Sequence, residues 1–481
     1  MSRVLLVVPT GHRVGLTATS LGLVRALDQL GIAVAFAKPI AQPRGSGDDH
    51  STELVRLITR LEPPASITVE RAAELLGDGH LDGLMEEVLA VTESASGADV
   101  VVVEGLAPSA DHVWSTRVNA AMAQALDADV LLVADGSDPG ADPAGRLADA
   151  VAIAAAPYRT GERLRVAGCV VNRVPHPSPV AVSRLAAALR RHDIALAGAV
   201  PFRPEVTWPR VADVARELGA RTLVAGDDSR RVSDVVVCAH AVPGLLPLLR
   251  DGCLLLVPGD RSDVVMAACL AAVNGVRLAG LLLTAGIEPD PEVTRLTGAA
   301  AATGLSILVV DDLTYPTAVR LHTLHPGVPY NDSGRAHEVA RTVADALDPA
   351  WIQTLPMPGR PRRVTPAAIR HHLVETARRA DARVVLPEGA EPRTVQAAVR
   401  CAERGIARSL LLAAPDAIAA TLRMLGPTLP AGGRCPRPGG SRRPLRRPAH
   451  RIACPQGHDR GDRAGAALRP DHARHDDARG R

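Results

Sequence analysis

Aromatic residues are nearly absent from this chain of 481 residues. It contains three Trp, three Tyr and two Phe, while 47% of its residues are hydrophobic. Its cores must therefore be built from Val, Leu, Ile and Ala, a composition that favours buried parallel strands and Ala-rich helices. The length exceeds that of a single core, and domain statistics predict about three units.

Other features are also scarce, and their absence excludes several classes of protein. Lys38 is the only lysine, so arginine supplies the other 54 of the 55 basic residues, a bias to which we assign no functional meaning. The seven cysteines include no CxxC pair, which is typical of a reducing cytoplasm. No apolar stretch reaches the roughly 20 residues needed to span a bilayer, and the short run 4–8 does not have the pattern of a signal peptide. We therefore predict a cytoplasmic protein with no membrane partner.

The formal net charge of +3 is unevenly distributed along the chain. From Arg434 onward there are 13 Arg and 5 Asp, a net charge of +8, so the residues before Arg434 carry −5. A mildly acidic body lacks the basic surface by which proteins attract phosphate backbones. We predict no nucleic-acid partner.

Residues 1–203 alternate short apolar runs with amphipathic segments. The six runs cover 4–8, 33–37, 100–103, 130–134, 166–171 and 195–200, and several are rich in β-branched residues. Continuous runs separated by helical segments predict a parallel sheet with helices on both faces. The sequence therefore predicts an α/β fold whose N-terminal domain is built on a parallel sheet.

The rest of the chain divides where this pattern changes. Residues 204–350 repeat it, with runs at 235–238, 253–257, 278–283 and 307–310, and predict a second α/β domain. Residues 351–364 form a proline-rich linker. Residues 365–432 predict a third α/β unit with helix 367–380, strand 382–386, helix 393–404 and strand 409–413. Residues 433–481 lack Val, Phe, Tyr, Trp and any hydrophobic period, and predict a disordered Arg-rich tail.

The first strand leads into a glycine-containing loop and then into a helix. Gly11 and Gly15 let backbone amides close on an anion at the helix N-terminus, and Thr17 supplies a hydroxyl. The usual phosphate-binding loop (P-loop) has a lysine directly before this Thr, whereas this chain has Leu16. The first domain is therefore P-loop-like, and the missing charge predicts that triphosphate hydrolysis is crippled.

Polar residues also stand at the ends of two later strands of the same sheet. Glu104 is placed to lie near a metal, although we predict no metal site in the chain, and Asn172 and Arg173 are placed to meet a base. Three interpretations stay open for this region. A degenerate nucleotide fold keeps its loop for packing; the loop binds a regulatory ligand; or the domain hydrolyses ATP, which Leu16 disfavours.

Three parts of the sequence, in order, resemble long-form bacterial phosphate acetyltransferases. The N-terminal part is similar through PTG (9–11), VGLT (14–17), SLGL (20–23) and KPIAQPR (38–44). The middle part is similar through PGDRSD (258–263) and TYPTA (314–318). The third part resembles the start of the catalytic domain through RVVLPEG (383–389), EPRT (391–394) and CAERGIA (401–407). The first domain of that family is in turn similar to dethiobiotin-synthetase-type P-loop proteins, and Lys38 joins Gly11, Gly15, Thr17 and Glu104 as the candidate nucleotide-like site.

The resemblance implies reversible transfer of an acetyl group between coenzyme A and inorganic phosphate. Acetyl-CoA and phosphate are then the expected substrates, and no bound cofactor is expected. In the family, phosphate attacks the thioester carbonyl in a ternary complex, an Asp assists thiol deprotonation in the reverse direction, and Arg and Ser groups hold the phosphate and the carbonyl oxygen. We also expect a nucleotide or a metabolite as effector of the regulatory first two domains, and a homo-oligomer.

The family motifs that carry those catalytic groups have no counterpart in this sequence, so no catalytic residue is assigned. Glu388 and Arg393 match the first motif of the catalytic domain, but a turn acid and a helix-start arginine explain them equally well. We accordingly expect the acyltransferase domain to be incomplete, and the chain to be truncated and inactive as a transferase.

The tail matches the family when its codons are shifted by one base. Residues 469–479 permit codons that then encode DPITLGTMML, which resembles a catalytic-domain segment ending in a Met-Met pair. Residues 455–463 likewise permit RKGMTEAI, which resembles a basic substrate-side motif. Two matches in the family's order predict a frameshift near residue 432.

Competing interpretations remain for the tail and for the whole chain. Cys454, His458, His472 and His475 have loosely zinc-like spacing, and an Arg-rich tail is also typical of nucleic-acid binding. Shifted GC-rich frames, however, yield Arg, Pro, Gly, Ala, His and Asp by default. For the chain, the alternatives are a non-catalytic regulatory module that binds a nucleotide or metabolite, and a P-loop ligase or NTPase, which Leu16 disfavours.

Overall fold

The computed structural model describes residues 2–42, 49–95, 97–109, 112–138, 142–160, 163–324, 327–356 and 363–425. Two compact units divide the chain at Ile369. The predicted tail 433–481 lies outside the described residues, so its frameshift, zinc and nucleic-acid interpretations stay predictions.

The first domain contains a six-stranded parallel sheet in the order β2-β3-β1-β4-β7-β8. Its strands and a short hairpin, β5-β6, are β1 (Arg3–Pro9), β2 (Val34–Ala37), β3 (Val100–Glu104), β4 (Asp129–Asp135), β5 (Arg159–Thr160), β6 (Arg163–Leu164), β7 (Val166–Val174) and β8 (Leu196–Pro201). All six predicted apolar runs are strands of this sheet. All five residues of the central strand β3 are buried, as expected for a sheet covered on both faces.

Helices cover both faces of this sheet, and each face has its own apolar cluster beneath the helices. They are α1 (Leu16–Gln29), α2 (His50–Ile58), α3 (Val69–Gly77), α4 (Leu81–Ser94), α5 (Ser115–Ala125), α6 (Pro143–Ala155) and α7 (Pro179–Arg190). The carboxyl ends of β1, β3 and β7 therefore meet at one edge, which is where open parallel sheets bind ligands.

The middle domain contains a five-stranded sheet in the order β10-β11-β12-β13-β9. Its elements are α8 (Val211–Leu218), β9 (Arg221–Val224), β10 (Asp234–Val237), α9 (Val242–Leu245), β11 (Cys253–Pro258), α10 (Ser262–Val273), β12 (Gly280–Thr284), α11 (Pro291–Leu296), β13 (Ser306–Val309) and α12 (Thr314–Thr323). The four predicted runs are the four parallel strands. The edge strand β9 pairs antiparallel with β13 and was not predicted, because its first two residues are exposed and the run is too short to show a pattern.

After the middle domain the chain returns to the first sheet through α13 (Ser333–Ala344) and α14 (Pro349–Gln353). Helix α13 packs on α1 so closely that a Cβ on Gly22 would lie 2.3 Å from the Cβ of Val343. The indole Nε1 of Trp351 donates to the carbonyl of Ala167 at 2.9 Å. The sequence analysis assigned these helices to the middle domain and the linker, whereas the structure places them in the core of the first domain.

The structure describes the second unit from Arg370 to Leu425. Its elements are α15 (Pro366–Ala380), which begins in the first unit, β14 (Arg383–Leu386), α16 (Pro392–Glu403), β15 (Arg408–Leu411) and α17 (Pro415–Met424). The two strands are parallel, and the buried core consists of Val395, Ala398, Leu411 and Ile418. The predicted helix–strand alternation of this unit is confirmed, with α17 as an additional helix.

Across the described residues, no helix combines the length and the apolar character needed to cross a bilayer.

Candidate functional site

The loop between β1 and α1 is shaped by a glycine and by an amide from a distant strand. Gly15 precedes the helix with φ of 92°, a left-handed conformation that favours glycine. The side-chain Nδ2 of Asn172, in β7, donates to the carbonyl of Val14 at 3.0 Å. A Cβ on Gly15 would lie 1.9 Å from that Nδ2, so any larger residue would displace the Asn172 side chain and break its hydrogen bond to Val14.

The same loop presents unpaired donors at the start of a helix of 14 residues. Among the described residues, the backbone N–H groups of Gly11, Gly15, Leu16 and Thr17 donate to no partner. The first turn of α1 contains no acidic residue and no side-chain cap. Free N–H groups at a helix N-terminus attract anions, because they combine hydrogen bonding with the positive end of the helix dipole.

Three side-chain oxygens from three elements meet beside this helix start. Thr17 Oγ1, in α1, lies 2.9 Å from Ser51 Oγ in α2 and 3.4 Å from Glu104 Oε1 at the end of β3. Ser51 Oγ donates to the same Glu104 oxygen at 2.7 Å. Asp49 fixes Ser51 by capping α2, since its carboxylate accepts from the N–H groups of Ser51 and Thr52.

Lys38, which follows β2, reaches the same carboxylate. Its Nζ donates to Glu104 Oε1 at 3.1 Å, to the carbonyl of Gly105 at 2.5 Å and to Gln42 Oε1 at 3.4 Å. The side chains of Lys38 and Glu104 are 2% and 1% exposed, so this is a buried ion pair. The second oxygen, Glu104 Oε2, is buried and has no hydrogen-bond partner among the described residues.

Leu16 occupies the position where a P-loop has its lysine, but its side chain does not face the loop as a substitute ligand. It is buried in the apolar cluster of the sheet face that also contains Val14 and Leu5. A lysine here would have to bury its charge or rearrange the helix start. The loop therefore has no cation of its own at this position.

Asn172 and Arg173, which the sequence analysis placed near a base, instead contact the loop backbone. The Asn172 amide holds Val14, as described above. The Arg173 guanidinium donates to the carbonyl of Arg13 at 2.9 Å and to Asp135 Oδ2 at 2.5 Å. Base recognition by these residues stays a prediction, and their observed contacts support the shape of the loop.

All five predicted site residues lie at the loop or at the adjoining helix start and strand ends. Thr17, Lys38 and Glu104 form one hydrogen-bonded group, and Gly15 lies directly before α1. Gly11 lies in the loop itself, and a Cβ added there would meet only Val14, at 3.8 Å. Ser51 was missed. Its sequence signal is the capping Asp49 two residues earlier, which predicts a helix start but no functional role.

Two further expectations concern metals and the third unit. The part of the chain that the structure describes contains no group of three His, Cys, Asp or Glu side chains that could hold a metal ion. Glu388 is exposed just beyond the carboxyl end of β14, and Arg393 is exposed in the first turn of α16. Both lie at the edge of a parallel strand pair where α/β domains bind ligands, but neither has a buried environment.

Comparisons with known proteins support this domain order. Family models match residues 3–210 (AAA domain), 213–324 (DRTGG domain) and 368–433 (phosphate acetyl/butaryl transferase). A phosphate acetyltransferase of Pseudomonas putida is 42% identical over 435 residues, covering 89% of this chain and 62% of that protein. Those of Deinococcus radiodurans and Salmonella typhimurium are 40% and 36% identical, with 62% and 64% of their lengths covered.

Similar solved structures are more distant. Cobyrinic acid a,c-diamide synthase of Mycobacterium smegmatis, with bound ADP and magnesium, is 17% identical with a TM-score of 0.29, covering 42% of this chain and 87% of that one. The CBS and DRTGG domains of a Clostridium perfringens pyrophosphatase, complexed with diadenosine tetraphosphate, are 12% identical with a TM-score of 0.21, covering 31% and 55%.

Fold and site together define an α/β protein with a P-loop-like domain, a DRTGG domain and a segment of acyltransferase type. The predicted fold class is thus confirmed. The chain is similar to phosphate acetyltransferases through all three matched domains, and it spans 62% to 64% of the length of the relatives named above.

Proposed function

We propose that the protein acts as a phosphate acetyltransferase, an acyltransferase that moves an acetyl group between coenzyme A and inorganic phosphate. The observation that supports this is the 42% identity over 435 residues, which runs through all three domains in the same order. In the proposed reaction a phosphate oxygen attacks the thioester carbonyl, the carbon–sulfur bond breaks and the thiolate of coenzyme A leaves. We also propose a cytoplasmic location and a homo-oligomer.

An assay of thiol release tests this activity. Purified protein is mixed with acetyl-CoA, and free coenzyme A is measured with a thiol reagent in the presence and absence of phosphate. Release that depends on phosphate would support the proposal. The matched variants are Arg393→Ala, at the candidate strand edge, and Arg400→Ala, an exposed arginine of the same helix. If Arg393 contacts substrate, only the first variant lowers the rate.

The expectation that this 481-residue chain is inactive stays a prediction, which the same assay decides. If a chain that is folded by circular dichroism releases no coenzyme A at any phosphate concentration, the proposed activity does not reside in this chain. The function of the described residues is then the second candidate, which concerns the loop site.

We propose as this second function that the first domain binds a phosphorylated effector, a nucleotide or another phosphorylated metabolite. Two observations on the described residues support it: the N–H groups of Gly11, Gly15, Leu16 and Thr17 have no partner, and neither has the buried Glu104 Oε2 beside Thr17. Free N–H groups at a helix start favour an anion, and buried polar atoms such as Glu104 Oε2 are nearly always hydrogen-bonded in proteins, which supports a ligand site here. Leu16 makes turnover of that ligand unfavourable, since the charge that reaches the transferred phosphate is absent.

Calorimetric titration with ADP tests the effector site. Wild-type protein is expected to show saturable binding that Gly15→Asp abolishes, because the new side chain would collide with Asn172 and place a negative charge in the loop. Gly31→Asp is the matched control. Gly31 also has a positive φ, of 71°, but its Cβ would meet nothing within 4 Å. Equal loss of binding in both variants would indicate unfolding and would contradict the assignment of the loop.

A further inference from the structure

The oxygens beside α1 have the spacing of a divalent-cation site. Thr17 Oγ1, Ser51 Oγ and Glu104 Oε1 are separated by 2.9, 2.7 and 3.4 Å. An octahedral Mg²⁺ with ligands at about 2.1 Å places neighbouring ligand atoms about 3 Å apart. The three oxygens alone would therefore fit one face of a magnesium octahedron, as expected where a P-loop holds a nucleotide with its metal.

Lys38 changes this conclusion, because its ammonium already occupies the cation position at Glu104. Nζ lies 3.1 Å from Oε1, the same oxygen that would ligate the metal. Its three protons have three acceptors, Glu104, Gly105 and Gln42, and the side chain is only 2% exposed. A divalent cation on that oxygen would face a fixed positive charge in a region of low dielectric constant, where like charges repel strongly. With Lys38 in place, the residues do not fit a metal.

We propose that Lys38 is a built-in counter-ion that replaces the divalent cation, so that the loop binds the phosphate group of its ligand without Mg²⁺. This inference rests on the proposed effector site. The ammonium neutralises Glu104, whose charge would otherwise repel a phosphate bound beside Thr17. The loop N–H groups then hold the phosphate oxygens directly. Lys38 lies directly after β2, so the positive charge of the site comes from outside the loop. The loop position that usually holds a lysine can therefore be Leu16.

Titration of the 481-residue protein with ADP, once with EDTA and once with Mg²⁺, is the first test. We expect the two dissociation constants to agree within about threefold. Binding that is about tenfold or more weaker in EDTA would overturn the inference while leaving the effector site intact. Absence of binding by both ADP and inorganic pyrophosphate in either buffer would instead refute the effector site, and the inference with it.

Substitution of the lysine gives the sharper test. Lys38→Met keeps an unbranched side chain, one atom shorter, but removes its charge, which exposes the oxygens of Thr17, Ser51 and Glu104 to solvent cations. We expect ADP affinity in EDTA to fall about tenfold or more, and Mg²⁺ to restore it. Glu104→Gln removes the opposite charge, and its ADP binding should stay strong in EDTA and respond little to Mg²⁺. A Lys38→Met protein that binds equally well in EDTA would contradict the counter-ion role.

Because Lys38 is the only lysine of the chain, it is also a single-residue spectroscopic probe. Protein grown with ¹³C-labelled lysine should show one side-chain εCH₂ signal, which needs no substitution and therefore no refolded variant. We expect ADP in EDTA to shift this signal with the same saturation curve as the calorimetric binding. Saturating ADP that leaves the signal unmoved would place the ligand away from Lys38 and overturn the inference.

Discussion

The two sheets of the first unit share one architecture but end differently at their carboxyl edges. Among the described residues of the first sheet, Glu104 Oε2 and the loop N–H groups of Gly11, Gly15, Leu16 and Thr17 have no partner at the strand ends. In the middle sheet the corresponding groups bond to one another: Thr284 Oγ1 lies 2.7 Å from Thr314 Oγ1, and the Arg261 guanidinium lies 2.8 Å from Asp263. The backbone closes this edge too, since a Cβ on Gly259 would lie 1.9 Å from the carbonyl oxygen of Ile287.

This difference indicates which sheet is prepared for a ligand. Burying a polar group without a partner has a free-energy cost, and proteins retain such groups where a bound molecule supplies the partner. The first sheet keeps one such buried group, Glu104 Oε2, at its edge, whereas the Thr284 and Thr314 hydroxyls pair with each other at the edge of the middle sheet. If the two sheets are also independent in stability, substitutions in one should leave the other unchanged, with effects that range from large to small.

The largest effect is expected from Trp351→Ala. Trp351 is buried on the first sheet and donates to Ala167, so its removal leaves a cavity and an unpaired carbonyl at a cost of about 3–5 kcal/mol in the free energy of unfolding. Hydrogen exchange should show faster exchange in β1 and β4 and unchanged exchange in β11 and β12. Trp208→Ala is the control, since Trp208 is only half-buried. Equal acceleration in both sheets would show that they unfold as one body.

Asp332 joins the middle domain to the helix that returns to the first sheet. Its carboxylate, 4% exposed, pairs with Arg231 at 2.5 Å and accepts from the N–H of Arg335 at the start of α13. Asp332→Ala leaves the Arg231 guanidinium without its carboxylate partner. We expect the free energy of unfolding, measured in urea, to fall by about 3 kcal/mol. Asp345→Ala, at the exposed end of the same helix, should change stability by less than about 0.5 kcal/mol. A small loss at Asp332 would mean that the connection is not stabilising.

Acid should weaken the same connection in a predictable direction. Burial is the largest single influence and alone would raise the pKa of Asp332 and of Asp213. Hydrogen bonds and neighbouring arginines together outweigh it, led by Arg231 at Asp332 and Arg210 at Asp213, so each pKa lies below its usual range. Because the pKa values are lower in the folded state, this stability is present above about pH 4 and is lost as the pH falls through the folded values. Stability measured between about pH 5 and 2 should therefore fall less steeply in Asp332→Asn than in wild type. Curves of stability against pH with the same slope in both proteins would contradict the lowered pKa of Asp332.

Much of the first sheet was predictable from sequence because its strands are buried on both faces. Runs such as Val100–Glu104 are continuous and β-branched, and burial on both faces leaves little room for other residues. Strand β9 is at a sheet edge with two exposed residues, so the same signal was absent. Helix α13 has an ordinary amphipathic pattern, which predicts a buried face but does not identify the sheet that it covers.

The site was predictable residue by residue but not as an arrangement. Thr17 and Glu104 follow from their positions at strand and helix ends, and Lys38 from the family resemblance. That Lys38 pairs with Glu104 depends on β2 and β3 being neighbours, although the two residues are 66 positions apart in the chain. Local patterns do not specify contacts of this range. The consequence, a lysine in the place of a cation, therefore required the structure.

The smallest effect is expected from Thr284→Val in the middle sheet. Thr284 is fully buried, and its hydroxyl bonds to that of Thr314. The substitution keeps the shape but leaves one hydroxyl unpaired, which should lower the free energy of unfolding by about 1 kcal/mol. Hydrogen exchange should accelerate in β11 and β12 and not in β1 or β4, with Thr294→Val in the exposed helix α11 as the control. If Thr284→Val has no effect, the closed edge of the middle sheet is not held by its side chains, and the contrast with the open edge of the first sheet loses its physical basis.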